Sequence, residues 1–306
     1  MTTAAPLHST PAHNLSSPPS ETRSDSITVP ATSSSIPRGP VTATLAFFDP
    51  PSDGSPPHNW VESPPEGQPQ RNFGDQEREV KIQDIRGHES SFTLDNNAFE
   101  VLQNVPPSAE KDFTDDESIK TNYYPEVEQL VKDNVPGVHR VVIFDHTIRR
   151  SFAGSPRAPV NRVHIDQTTA SAAARVRHHL PAEEAEQLLH GRYRIINVWR
   201  PLNGPVVSSP LGFADGSSVA DEDLVGVEHR YPDRTGETAA VKSRDSQRWY
   251  YLSGMTNDER LLLKCSDSDP QHGPVGRVPH TAFADSRTPK DAPGRESIEV
   301  RTLVFG

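Results

Sequence analysis

The stretch Pro159-Val160-Asn161-Arg162-Val163-His164-Ile165-Asp166-Gln167-Thr168 organises the chain. Its β-branched residues run into a turn, which predicts a strand over 160–166. His164 and Asp166 are two positions apart, so on a strand their side chains share one face while Ile165 takes the other. An imidazole and a carboxylate converging there supply two-thirds of a facial two-histidine, one-carboxylate metal site, the ligand set of non-haem Fe(II) oxygenases. A short His-x-Asp also arises by chance in many chains, where the histidine is an ordinary surface or hydrogen-bonded residue. Of the 13 histidines, His164 alone has an acid two positions later.

The third ligand must come from far along the chain. His280, in Val278-Pro-His-Thr-Ala-Phe283, sits in another predicted strand and is the leading candidate. Its rival is His229 in Val227-Glu-His-Arg-Tyr231. His146, beside Asp145, reads as a supporting group. His178 and His179 are adjacent on a predicted helix and point in different directions, so they are poor joint ligands.

Fifteen residues after His280, Arg295-Glu296-Ser297 opens the last predicted strand. Arg295 and Ser297 share a face, and a guanidinium beside a hydroxyl makes a fork for a carboxylate. The distal carboxylate of 2-oxoglutarate needs such a fork, while the 2-oxo acid end of that co-substrate chelates iron. Arg301 falls on the same face and competes with Arg295 for the role; its ordinary alternative is an ion pair with Glu299. Asn197-Val-Trp-Arg200-Pro is a further polar-aromatic cluster. Asn197 is positioned to hydrogen-bond the iron-bound end of the co-substrate, Trp199 to wall a substrate pocket, and Arg200 to meet a substrate acid. A buried Trp and a rim Arg explain the same residues without function.

Working outward, strands are expected at Val41–Phe48 and Val80–Ile85, a short helix at Asn96–Gln103, and a helix at Asp115–Asn134 kinked at Pro125. Strands at His139–Thr147 and Val160–Asp166 precede a helical region, Thr168–Leu189, restarted at Pro181. Strands follow at Tyr193–Trp199, Asp223–Tyr231, Gln247–Leu252, Arg260–Ser266, Arg277–Phe283 and Glu296–Phe305. Eight strands from His139 onward, with helices flanking them, predict a mostly β (α+β) domain built on a double-stranded β-helix, the jelly roll. Residues 1–40 are rich in Ser, Thr, Pro and Ala and are expected to be a disordered tail. Residues 41–306 then form a single domain, with the Pro/Gly-rich segment Pro50–Gln70 as a wrapping arm or a linker.

With 42 acidic against 31 basic residues the formal net charge is −11. That balance disfavours nucleic acid and membrane surfaces as partners and favours a small molecule. The single cysteine, Cys265, excludes an internal disulfide and a cysteine zinc cluster. With no apolar run of membrane-helix length and no secretory pattern at the N-terminus, a cytoplasmic location is expected. Gly-x-Gly-x-x-Gly, P-loop, Gly-x-Ser-x-Gly and His-Glu-x-x-His patterns are all absent, so nucleotide-cofactor, serine-hydrolase and zincin chemistries have no support.

Taken together, Phe144-Asp-His-Thr-Ile-Arg149, Val163-His-Ile-Asp-Gln-Thr168, Ile196-Asn-Val-Trp-Arg-Pro201, Leu263-Lys-Cys265, Pro279-His-Thr-Ala-Phe283 and Arg295-Glu-Ser-Ile-Glu-Val-Arg301 resemble the fungal hydroxylase/desaturase family of secondary metabolism. Its relatives include gibberellin desaturase and the cephem methoxylase component. The resemblance spans Val41 to Gly306. It implies a jelly-roll non-haem oxygenase that uses Fe(II), 2-oxoglutarate and O2 on a small molecule. It also implies that His164, Asp166 and His280 bind iron and that Arg295 binds 2-oxoglutarate. Two other classes stay open on the sequence: a non-catalytic jelly-roll binding protein, and a methyltransferase-like protein, a label some relatives carry despite the missing glycine loop.

Overall fold

The computed structural model of the protein describes residues 36–152, 155, 157–272 and 276–306. Most of the expected tail over residues 1–40 lies outside the described residues. Residues 36–40 lie inside them, where Arg38 donates to the Ser253 carbonyl (2.9 Å) and the Gly39 amide to Asp84 (2.8 Å).

Fourteen strands are described. Before the metal-site stretch come β1 (Val41–Asp49), β2 (His58–Trp60), β3 (Gly74–Asp84), β4 (Phe99–Leu102) and β5 (Arg140–Arg150). Then follow β6 (His164–Ile165), β7 (Tyr193–Pro201), β8 (Leu211–Ala214), β9 (Leu224–Arg230) and β10 (Thr235–Val241). The last are β11 (Trp249–Tyr251), β12 (Arg260–Asp267), β13 (His280–Ala282) and β14 (Glu296–Phe305). They form a nine-stranded sheet, β1-β3-β11-β8-β13-β6-β10-β9-β2, and a five-stranded sheet, β4-β12-β7-β14-β5. The smaller sheet is antiparallel throughout; in the larger one β3–β11 and β2–β9 run parallel. Leu45, Ile82, Ile165 and Trp249 of the larger sheet share one core with Ile195, Cys265, Leu303 and Phe305 of the smaller. This is the expected jelly roll.

The inner face of the smaller sheet changes character along its length. On β14 every second residue points inward. Leu303 and Phe305 are apolar and fill the core, whereas Ser297, Glu299 and Arg301 are polar. The polar end is where the site sits. The outer face carries Ile196, Val198, Leu262, Ile298, Val300 and Val304, covered by Val127 and Val131 of α3 (Tyr124–Asn134).

Several expectations need correction. The helix expected at Asn96–Gln103 is a single turn, α1 (Leu94–Asn97), after which β4 begins. Ala98 stops the helix in the left-handed region (φ 66°), and the 99–102 backbone gains ladder bonds to β12 that a helix would forgo. Tertiary pairing overrides local propensity here. The 115–134 helix runs through as α2 (Asp116–Ser118), a wide turn of π type over Ile119–Tyr123, and α3. That turn precedes Pro125, whose missing N–H would otherwise interrupt the ladder. The strand expected over 160–166 pairs as a strand only at His164–Ile165, although the Val163 amide still bonds to Ala46. Strands β2, β4, β8 and β10 had not been expected. The helical region is borne out as α4 (Thr169–His179) and α5 (Ala182–Leu189), with Pro181 capping the second helix.

Candidate metal centre

Strand register brings the two histidines together. On the larger sheet β13 lies between β8 and β6, and His280 is the direct partner of His164. Their rings stand 4.5 Å apart, centroid to centroid. Asp166, just past the end of β6, completes the group: one ligand atom from each of His164, Asp166 and His280 falls within 4.8 Å of the others.

What those side chains do with their remaining polar atoms fixes which atom faces the shared point. His164 Nδ1 lies 2.9 Å from the Arg162 carbonyl, and His280 Nδ1 lies 3.1 Å from the Val278 carbonyl. Each ring therefore donates from Nδ1 to backbone and turns Nε2 toward the shared point. Asp166 accepts hydrogen bonds at Oδ2 from Asn197 Nδ2 (2.7 Å) and Arg301 Nε (2.8 Å), while Oδ1 sits 3.4 Å from His164 Nε2. Two imidazole nitrogens and one carboxylate oxygen thus point inward, each steadied from behind. The donor set suits ferrous iron.

The charges agree. Burial, then the neighbouring His164, pull His280 down to about 4, so it is neutral near pH 7 and able to donate its lone pair. Burial works against ionising Asp166, but Arg301 and then His164 outweigh it and hold the carboxyl well below the usual carboxylate range. Arg301 is fully engaged, binding Asp166, Asp145 (3.1 Å) and Glu299 (2.9 Å). It props the metal-facing carboxylate and has no arm left for a co-substrate.

Beside the histidines opens a narrow pocket lined by His164, His280, Trp199, Arg295, Ser297 and Arg149, with Thr147, Glu299, Val160, Leu211, Thr281 and Ala282 around them. Arg295 is 3% exposed, stacks over the Trp199 ring at 5.4 Å and donates from Nη1 to the Ser209 carbonyl (2.7 Å). Its Nε is buried without a partner, and among the described residues it makes no ion pair. Burial, then the charge of Arg149, pull it down to about 9. A buried guanidinium lacking a counter-ion beside a pocket is chemically suited to an anion.

Of the residues singled out in the sequence, His164, Asp166, His280, Trp199, Arg295 and Ser297 meet here. Asn197 contacts the Asp166 carboxylate, rather than standing free for a co-substrate. Arg200 is placed elsewhere: it alternates with Trp199 on β7, so it leaves by the other face and lies over the rings of Phe113 and Tyr123. His229, the rival third ligand, lies outside the His164–Asp166–His280 group and its Nε2 pairs with Thr238 (2.8 Å), and His146, expected as a supporting group, pairs with Tyr124 (2.9 Å). Thr147 and Arg149 were not among the predicted site residues. Their signal is two-residue spacing on β5, opposite Glu299 and Ser297, and it becomes readable only once the β5–β14 register is known.

The family described as an oxidoreductase/YMDC permease-like domain matches residues 45–305. No described helix is long and apolar enough to cross a membrane. The hydroxylase/desaturase poxK of Penicillium oxalicum is 37% identical over 302 residues, covering 88% of this chain and 92% of its own. The Fe(II)/2-oxoglutarate-dependent dioxygenase nvfI of Aspergillus novofumigatus is 38% identical, covering 80% and 89%. The solved structure of the iron and alpha-ketoglutarate-dependent endoperoxidase NvfI superposes with a TM-score of 0.80 at 32% identity, covering 88% of this chain and 99% of that one. The chain belongs to the fungal hydroxylase/desaturase family of Fe(II)/2-oxoglutarate-dependent oxygenases.

Proposed function

We propose that His164, Asp166 and His280 hold Fe(II), that Arg295 and Ser297 hold the distal carboxylate of 2-oxoglutarate, and that the enzyme hydroxylates or desaturates a small organic molecule. One observation carries the reading: three ligand atoms lie within 4.8 Å of one another while the second polar atom of each residue is bonded elsewhere. The other two classes open on the sequence offer no reason for that arrangement.

When bound, iron with 2-oxoglutarate supplies the O2-dependent oxidising power that side chains lack. The chain positions and insulates. A three-ligand set of this kind would leave the remaining coordination positions of the metal to co-substrate and O2. Arg295 orients the co-substrate from its far end, with Trp199 stacked against the guanidinium to hold its plane. Leu211, Val160 and Ala282 keep the neighbouring pocket wall apolar and exclude water.

Anaerobic addition of Fe(II) and then 2-oxoglutarate tests the reading by visible absorption. A weak charge-transfer band is expected in the parent and not in His164→Ala or Asp166→Ala. A parent protein that takes up no Fe(II), Mn(II) or Co(II) near stoichiometry refutes the oxygenase assignment in favour of a binding protein. Calorimetric binding of S-adenosylmethionine at micromolar strength would favour the methyltransferase instead.

A further inference from the structure

Arg149 has no role in the reading above, yet it lines the same pocket as Arg295. It is half-buried, and its one side-chain hydrogen bond among the described residues runs from Nη1 to the Ala158 carbonyl (3.0 Å). No carboxylate pairs with it there. On the smaller sheet Arg149 is the direct cross-strand partner of Ser297, and Arg295 lies two residues before Ser297, just ahead of β14, where its carbonyl accepts from the Ser151 amide (2.9 Å). Directly opposed residues on one face hold their Cβ atoms about 4.5–5.5 Å apart, and diagonal ones lie within reach of long side chains. Arg149, Ser297 and Arg295 therefore form a triangle on one wall of the pocket. Placing two guanidiniums side by side, one of them fully buried, is unfavourable unless an anion sits between them. Glu299 on the same wall attracts both guanidiniums but makes no ion pair with either among the described residues. Glu299 is bound to Arg301 at 2.9 Å, and Asp166 holds Arg301 and Asn197.

We propose that Arg149 is a second guanidinium of the co-substrate site, closing with Arg295 on one carboxylate whose remaining lone pairs meet the Ser297 hydroxyl. The clamp selects a 2-oxo acid carrying an anionic far end. This rests on the co-substrate reading above and adds to it a residue on a different strand.

The test is calorimetric and needs no turnover. Mn(II)-loaded protein is titrated with 2-oxoglutarate and with 2-oxovalerate, which keeps the chelating end and replaces the distal carboxylate by a methyl group. Removing one charged hydrogen-bonding arm is expected to weaken 2-oxoglutarate by about 10–100-fold in Arg149→Gln. It should move 2-oxovalerate by less than about threefold, because that ligand offers the clamp no charge. Arg149→Lys keeps the charge without the fork and should fall between parent and Arg149→Gln. The metal-free Arg149→Gln protein should melt no lower than the parent, since it loses a like-charge neighbour of Arg295. Arg149→Gln binding 2-oxoglutarate within twofold of the parent would overturn the proposal. So would an equal loss for both acids accompanied by a lower melting temperature, which would make Arg149 a structural prop. A parent that binds Mn(II) but neither acid would instead overturn the co-substrate reading itself.

Discussion

Asn197 donates a 2.7 Å hydrogen bond to Asp166 from the adjacent sheet, on the carboxylate oxygen that faces away from the histidines. Asn197 is fully buried, so the bond is shielded from water. It joins the two sheets at the site and fixes the rotation of the carboxylate.

Asn197→Ala should therefore keep the fold and loosen the metal. Losing a partner behind a ligand typically costs about 10–100-fold in metal affinity. Calorimetric Mn(II) titration of parent and variant measures it. Unchanged affinity would mean that Arg301 alone orients Asp166.

Arg301→Gln should do more damage. Arg301 neutralises the buried Asp166 and Glu299 together, and its loss leaves two carboxylates facing each other. Burial and the charge of Asp166 already push Glu299 up. Breaking a buried pair from one side costs about 3–5 kcal/mol. Thermal melts of the metal-free proteins read that loss. Saturating Mn(II) should recover part of it, because a bound cation replaces the missing charge beside Asp166.

Acid should destabilise the metal-free protein through His280. Burial and His164 hold the folded imidazole at about 4, against an ordinary value near 6.5. Between those limits the unfolded chain takes up a proton that the folded one refuses. The contribution of His280 is thus complete above about pH 6.5 and is lost as pH falls toward 4, a span of about 3 kcal/mol. Urea midpoints of chelator-treated protein across that range report the slope, and His280→Gln should flatten it.

Away from the site, Lys264→Met should cost about 1.5–3 kcal/mol, since it removes one charged hydrogen bond from Asp267 while the paired bonds from Arg192 (3.0 and 2.6 Å) remain. The Lys264 and Asp267 side chains are both fully buried and meet at 2.9 Å. The change leaves the pocket lining intact, so Mn(II) affinity should hold while the melting temperature drops. A parallel loss of affinity would show that the two regions are mechanically coupled.

The sequence by itself determined a good deal. Alternation along Glu296–Phe305 located the last strand to the residue, because a strand buried on both faces with a polar inner end has few other readings. His-x-Asp at 164 and 166, and Arg-x-Ser at 295 and 297, were legible because a period of two is local to the chain. What pairs with what was not local. Only the tertiary structure set His280, rather than His229, opposite His164, since strand order in a sheet depends on long-range ladders. The same holds for Arg301, which turned to Asp166, and for Arg149, brought level with Ser297 by the β5 register. Arg200 was lost to the outer face by one residue of phase on β7. Each of these outcomes is an alignment between distant strands, fixed by burial of both sheet faces and invisible to any window of sequence short enough to read by pattern.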